Sequence, residues 1–313
     1  MRDIWAGKKK EFDEMNVITL SDGDIPALLP PRPSDAHKGT FGRVRVLAGC
    51  RDMPGAAVLC CMAAYRIGAG LVEACVTEDV ARAVQYHVPE AITRILPETG
   101  GGYGLDSYRA LSAKAGAASV VILGPGIGRG KAVSDFVFAV TENGGRSPLL
   151  IDADGLNALA EDLSVLKKAT AAITPHPGEM SRLLRVPVKE ITADPTAAAV
   201  AFAKEYGVTV LLKGARTVVA PPDGGDVYVN TTGNAALAKA GSGDALAGMI
   251  AGLAAQGTNL TEACALAAYL HGKAGELAAE TLSLYGVNAS DVINTLPKVL
   301  MRYNKVAIPE AIS

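Results

Sequence analysis

Residues 231–257 read TTGNAALAKAGSGDALAGMIAGLAAQG. Gly241, Ser242 and Gly243 make a loop, Asp244 stands at the first turn of a helix, and the helix beyond is built from Ala, Gly and a few large apolar residues. The free N–H groups and positive dipole end of such a helix make an anion hole. A carboxylate fixed beside it suits phosphoryl transfer: amides stabilise charge on the moving group while the Asp takes a proton from an acceptor hydroxyl. A glycine turn with a capping Asp would use the same residues. Asn234 and the closely packing small-residue helix favour the anion site.

Before this stretch, apolar runs alternate with helical patterns. VRVLAG (44–49), LVEACV (71–76), SVVILG (119–124), PLLIDA (148–153), AAITP (171–175) and VTVLLKG (208–214) are near-continuous strands, and a helix is predicted from Pro54 to Ile67. Strands of this kind between helices mean a parallel sheet covered on both faces. From Thr217 to Thr232 the rhythm breaks, with TVVA and DVYVN flanking PPDGGD, a β-hairpin. Helices are expected at about 241–257, 260–280 and 287–303. The fold class is α/β: a single αβα sandwich with a mainly parallel central sheet and a hairpin near the C-terminal third.

The chain has 313 residues, 49% hydrophobic and 20% charged, enough for a full core and unlike a disordered segment. Its formal net charge of −2 provides no global basic surface for nucleic acid or an anionic membrane, so an anionic ligand needs a local site. Cys50, Cys60, Cys61, Cys75 and Cys264 lack metal-ligand spacing and read as free thiols in a reducing, cytoplasmic setting. The start, MRDIWAGKKKEFDEMN, lacks the apolar core of a signal peptide, and no stretch is long and apolar enough to span a membrane. Residues 1–34, with Pro30, Pro31 and Pro33, are expected to form an N-terminal arm, 35–305 the domain and 306–313 a tail.

In a parallel sheet, ligands collect at the carboxyl ends of strands, and the polar motifs fall there. In AGCRDMPGAA (48–57), Gly55 lets backbone approach a ligand at a helix N-terminus, though a plain tight turn has the same form. LGPGIGRG (123–130) is a weak dinucleotide fingerprint, because Pro125 interrupts it, but a reasonable glycine-lined floor for a bulky ligand. In IDADGLN (151–157), Asp152, Asp154 and Asn157 suit Mg²⁺ or a ribose hydroxyl, or a helix cap. TPHPGE (174–179) holds His176 between two prolines, which favours a binding role over a structural one. KGART (213–217) offers Lys213 to phosphate charge and an accessible Gly214 amide.

With these motifs assembled, the GSGD of 241–244 resembles the anion-hole loop of the ribokinase-like superfamily. HKGTFGRVRVLAG, MPGAA, GPGIG, IDADGLN, TPHPGE, LLKGART and TGN…KAGSGDALAGMIAG together resemble the ADP-dependent NAD(P)H-hydrate dehydratase family in order and spacing over about 35–300. The resemblance implies that Ala56, Gly126, Gly128, His176 and Asp244 contact the hydrated dinucleotide, and that Lys213, Gly214, Ala215, Arg216, Thr217 and Gly243 contact ADP. Gly241, Ser242 and Gly243 become the phosphate loop and Asp244 the catalytic base. It further implies Mg²⁺ with the nucleotide, with no metal ligands named, and a homotetramer. Many relatives carry an N-terminal epimerase domain, and the residues before this fold are too few for one, so the dehydratase alone is expected. Asn234-Ala235-Ala236-Leu237 departs from the Pro-Gly-Met common after TGN and bears on loop stiffness more than on identity. The rival expectations are a ribokinase-like small-molecule kinase for a vitamin precursor or sugar, and a catalytically silent nucleotide-binding protein.

Overall fold

The computed structural model describes residues 16–114, 117–143 and 147–303. Its strands are β1 (Val17–Ile18), β2 (Arg43–Leu47), β3 (Leu71–Val76), β4 (Ile92–Ile95), β5 (Val120–Leu123), β6 (Leu149–Ile151), β7 (Ala171–Ile173), β8 (Thr209–Leu212), β9 (Thr217–Ala220) and β10 (Val227–Asn230). Among the described residues they form one ten-stranded sheet in the order β1-β10-β9-β8-β7-β6-β5-β2-β3-β4. From β8 to β4 every pairing is parallel, whereas β9 runs antiparallel to both β8 and β10. The α/β class, the mainly parallel sheet and the hairpin are therefore as the sequence predicts.

Strand alternation sends side chains into two cores. Val44 and Val46 of β2 point into one layer and Leu47 into the other. The first layer is covered by α1 (Ile25–Leu28), α2 (Pro54–Arg66) and α3 (Glu78–His87). The opposite layer takes α4 (Leu105–Lys114), α5 (Lys131–Asn143), α6 (Asp154–Leu159), α7 (Pro177–Leu184), α8 (Val188–Ala193) and α9 (Pro195–Tyr206). The last helices, α10 (Ser242–Ala255), α11 (Leu260–Gly286) and α12 (Ala289–Leu300), return to the first layer.

α10 lies unusually close to α2. A Cβ at Gly248 would stand 2.4 Å from the Cys60 carbonyl oxygen, and one at Gly252 would stand 2.2 Å from Ile67 Cγ2. Only glycine permits that approach, and it places the loop before α10 over the sheet's carboxyl end.

The chain runs outward from β2 to β3 and β4, then returns to place β5 on the other side of β2. The helices after β2 and β5 consequently cover opposite faces. This is a topological switch point, the place where open α/β sheets generally bind ligands. The loops at 48–57 and 124–130 border it.

Two strands, and the short helix α1 in the arm, escaped the sequence reading. β4 has no fully buried residue, its ends exposed and its middle half-buried, and leaves no apolar run, and β1 is two residues long. Residues 16–34 of the arm lie on the fold: Val17–Ile18 pairs with β10, Ile25 is fully buried, and the Tyr269 and Tyr303 hydroxyls donate to Asp22 at 2.6 and 2.5 Å. α11 runs past the expected end to Gly286, interrupted at Ser283 with φ 62°. The tail at 306–313 lies outside the described residues.

Candidate active site

Parallel β6, β7 and β8 end side by side and deliver Asp152, His176 and Lys213 to one place. Lys213 Nζ donates to Asp152 Oδ1 at 2.8 Å and lies 3.9 Å from Glu179 Oε2, and its backbone N–H bonds to Pro175 at 2.8 Å. Burial works against the Lys213 charge, but Asp152 and Glu179 outweigh it and raise its pKa. The ammonium is thus sheltered and charged, unlike an ordinary exposed lysine.

His176 serves the fold as well as the site. It is the N-cap of α7, where Nδ1 accepts from the Gly178 and Glu179 amides at 3.0 and 3.3 Å while Glu179 accepts from the His176 amide at 2.8 Å. With Nδ1 occupied as an acceptor, a neutral ring carries its proton on Nε2. The half-exposed ring still borders the cavity described below.

α10 begins at Gly241, whose φ of 86° is a left-handed conformation suited to glycine. A Cβ on Gly243 would lie 3.5 Å from Lys213 Nζ and 3.6 Å from Asp152 Oδ2, so the glycine loop touches the Lys–Asp pair. Asp244 follows in the first turn, so the N-cap of this helix is Gly241 and not the carboxylate. Burial pushes the Asp244 pKa up to about 6, Asp152 adds to the rise and Lys213 opposes it.

Beside this cluster opens a cavity of about 750 Å³, lined among others by His176, Lys213, Gly214, Ala215, Thr217, Ser242 and Gly243. Arg216, Gly241 and Asp244 are not among the residues that line it. Thr217 closes the β8–β9 turn by donating its hydroxyl to Gly214 O at 3.2 Å. The far wall is the loop from Thr232 to Ala240, anchored where Glu276 accepts from the Gly233 amide at 2.7 Å. His271 on α11 also lines the cavity, with Nε2 3.3 Å from Ser242 Oγ, and burial lowers its pKa to about 4. Sequence reasoning missed it, because a lone His in an Ala-rich helix gives no spacing signal.

Ala56, Gly126 and Gly128 gather instead at the switch point. Gly49 N–H bonds to Pro125 O at 2.7 Å between the two loops, and a Cβ on Gly126 (φ 59°) would fall 2.8 Å from Ala56 Cβ. Ala56 and Gly126 are buried against each other, while Gly55 and Gly128 reach the surface. Asp154 does not cap α6; it accepts from the Gly128 amide at 3.2 Å and pins that loop. The two clusters touch through Gly124, whose Cβ would stand 2.1 Å from the Asp152 carbonyl oxygen.

No group of three or more His, Cys, Asp or Glu among the described residues is placed to hold a metal ion, and the Asp152 and Glu179 carboxylates already face Lys213. A nucleotide-borne Mg²⁺, held mainly by phosphates and water, needs no such cage.

The family model for NAD(P)H-hydrate dehydratase matches residues 44–298. The bifunctional NAD(P)H-hydrate repair enzyme of Moorella thermoacetica is 43% identical over 275 residues, covering 87% of this chain and 52% of the relative. This chain therefore spans about half the length of the bifunctional relatives it matches. The ADP-dependent (S)-NAD(P)H-hydrate dehydratase of Bacillus subtilis is 35% identical over 295 residues, 92% of this chain and 100% of the relative. The solved ADP/ATP-dependent NAD(P)H-hydrate dehydratase of Bacillus subtilis, co-crystallised with ATP and Mg²⁺, superposes with TM-score 0.79 at 33% identity, over 93% of this chain and 100% of its own. A ribokinase-like superfamily protein of Enterococcus faecalis gives 0.80 at 27% identity, over 93% and 97%. The architecture is thus ribokinase-like, and since one family model runs unbroken from β2 through the Asp244 loop into α12, the chain belongs to the NAD(P)H-hydrate dehydratase family.

Proposed function

We propose that this protein dehydrates the S-epimer of hydrated NADH and NADPH at the expense of ADP, giving NAD(P)H, AMP and phosphate. The observation that carries the reading is Asp244: a half-buried carboxylate with its pKa pushed up to about 6, in the first turn behind the Gly241–Gly243 loop and near the charged Lys213. ADP would lie in the 750 Å³ cavity along Lys213 to Thr217 and Gly243, a volume suited to one nucleotide. The hydrated dinucleotide would enter at the switch point, by Ala56, Gly126, Gly128 and His176. Asp244 stands where the two approaches meet.

Asp244 takes the proton of the C6 hydroxyl, whose oxygen attacks the terminal phosphoryl of ADP; the bond to the bridging oxygen breaks and AMP departs. The Gly241–Gly243 amides and Lys213 stabilise charge on the moving group. The C6–O bond then breaks as the ring nitrogen's lone pair expels phosphate, and loss of a C5 proton restores the dihydropyridine. Hydroxide leaves poorly and phosphate well, which explains a kinase-like site in a dehydratase. Mg²⁺ bound to the nucleotide supplies charge neutralisation at the phosphates.

A single ribokinase-like domain over 35–305 is supported by the single sheet. A homotetramer draws support from exposed Ile92 and Ile95 on the β4 edge, and sedimentation would size it. A cytoplasmic location is supported by five free thiols, and no helix among the described residues is long and apolar enough to cross a membrane.

The test is to mix the protein with hydrated NADH, Mg²⁺ and ADP or ATP and follow the return of NADH absorbance. Recovery that Asp244→Asn abolishes while ADP still binds supports the dehydratase. A stable phosphorylated product instead indicates a small-molecule kinase, and nucleotide binding without turnover a silent binding protein.

A further inference from the structure

The loop after β5 at the switch point carries a feature that the phosphoryl-transfer steps leave unused. Asp154 is almost fully buried and accepts from three donors: the Gly128 amide at 3.2 Å, Arg129 Nε at 3.1 Å and Asn157 Nδ2 at 3.2 Å. Asn157 turns its amide oxygen outward and accepts from Arg182 Nε at 3.0 Å. One carboxylate and one amide therefore hold two arginines, one from the glycine loop after β5 and one from α7. Among the described residues each guanidinium is held only through Nε, so both terminal N–H forks are left for another partner. Both side chains are exposed, that of Arg129 to 74%.

The backbone indicates that this arrangement is enforced. Ala153 has φ 52° and ψ −119°, a left-handed conformation that an alanine rarely adopts. The twist turns consecutive carboxylates to different duties: Asp152 to Lys213 and the nucleotide cavity, Asp154 to Gly128 and the arginines. Strain of this kind persists where the surrounding structure holds it and clusters at ligand-binding positions. A guanidinium anchored at Nε presents its remaining two N–H groups as a planar fork, the geometry that matches two phosphate oxygens.

We infer that Arg129 and Arg182, oriented by Asp154 and Asn157, form a clamp for a phosphate of the hydrated dinucleotide, separate from the site for ADP. The inference rests on the dinucleotide entering at the switch point. Two phosphates of that substrate share the required chemistry: the 2′-phosphate found only in the NADPH form, and the pyrophosphate common to both forms.

The experiment measures KM for hydrated NADH and hydrated NADPH, and ADP affinity by calorimetry, in the wild type and in Arg129→Ala, Arg182→Ala and the double variant. Arg129→Lys and Arg182→Lys keep the charge and lose the fork, and guard against misfolding of the alanine forms. The double variant is expected to raise KM by about tenfold or more, with each lysine form in between and ADP affinity unchanged. A rise confined to hydrated NADPH assigns the clamp to the 2′-phosphate, and an equal rise for both assigns it to the pyrophosphate. An unchanged KM for both substrates, in variants that fold and turn over, overturns the clamp. Wild-type protein that dehydrates neither substrate overturns the proposed function instead.

Discussion

Asp244 carries two opposed demands. Sheltering the carboxylate raises its pKa to about 6, where it is ionised at neutral pH and still basic enough to accept a proton. Log kcat/KM is therefore expected to climb with pH up to about 6 and then level, a profile that pH-dependent initial rates will show. The same shift weakens the fold. Its folded pKa lies above the ordinary value of 3.8, so the native state binds the extra proton and stability falls as pH rises between the two values. Asp244→Asn should be inactive yet more stable by on the order of 1–2 kcal/mol above pH 6, with no difference below pH 3.8, as read by urea unfolding. Lys213 and Asp152 pose the complementary case. Lys213→Met leaves a buried carboxylate without its cation and is expected to cost about 3 kcal/mol along with ADP affinity. Asp152→Asn in the same chain should restore part of the stability, which a double-mutant cycle will measure.

At the level of elements, the site depends on how closely α10 lies on α2. Gly248→Ala would push a methyl to 2.4 Å from the Cys60 carbonyl oxygen and 2.7 Å from Ala63 Cβ, both of which are hard to displace. The expected loss is about 1–3 kcal/mol, seen as a lower Tm, together with a reduced kcat as the Asp244 loop lifts from Lys213. The buried strands and the glycine-rich start of α10 were legible in the sequence because each leaves a local signal, an apolar run or a loop of small residues before a helix. β4 was not, since an edge strand with no buried residue has no such run. β1 was not, because its two residues become a strand only by pairing with β10. The same limit explains the site. His176 and Lys213 stand at motif positions, but the role of Asp154 as an anchor for Gly128 and the pairing of His271 with Ser242 depend on contacts between residues 26 and 29 positions apart.

For the whole molecule, the order of strands decides the chemistry. In the proposed reading, the switch point between β2 and β5 receives one ligand, while the cavity bordered by the β8–β9 turn and the Thr232–Ala240 loop receives the other. Gly124 and Asp152 bring the two within contact, with Asp244 beside them. Two ligands that meet at one carboxylate can exchange a phosphoryl group directly, and the proposed reaction requires that exchange. It is tested by following the oxygen. Hydrated NADH prepared with a heavy oxygen isotope in its C6 hydroxyl is turned over with ADP and Mg²⁺, and the products are analysed by mass spectrometry. Transfer of the hydroxyl to phosphate before the C6–O bond breaks predicts that the label appears in inorganic phosphate. Label released into water, with unlabelled phosphate, would contradict it.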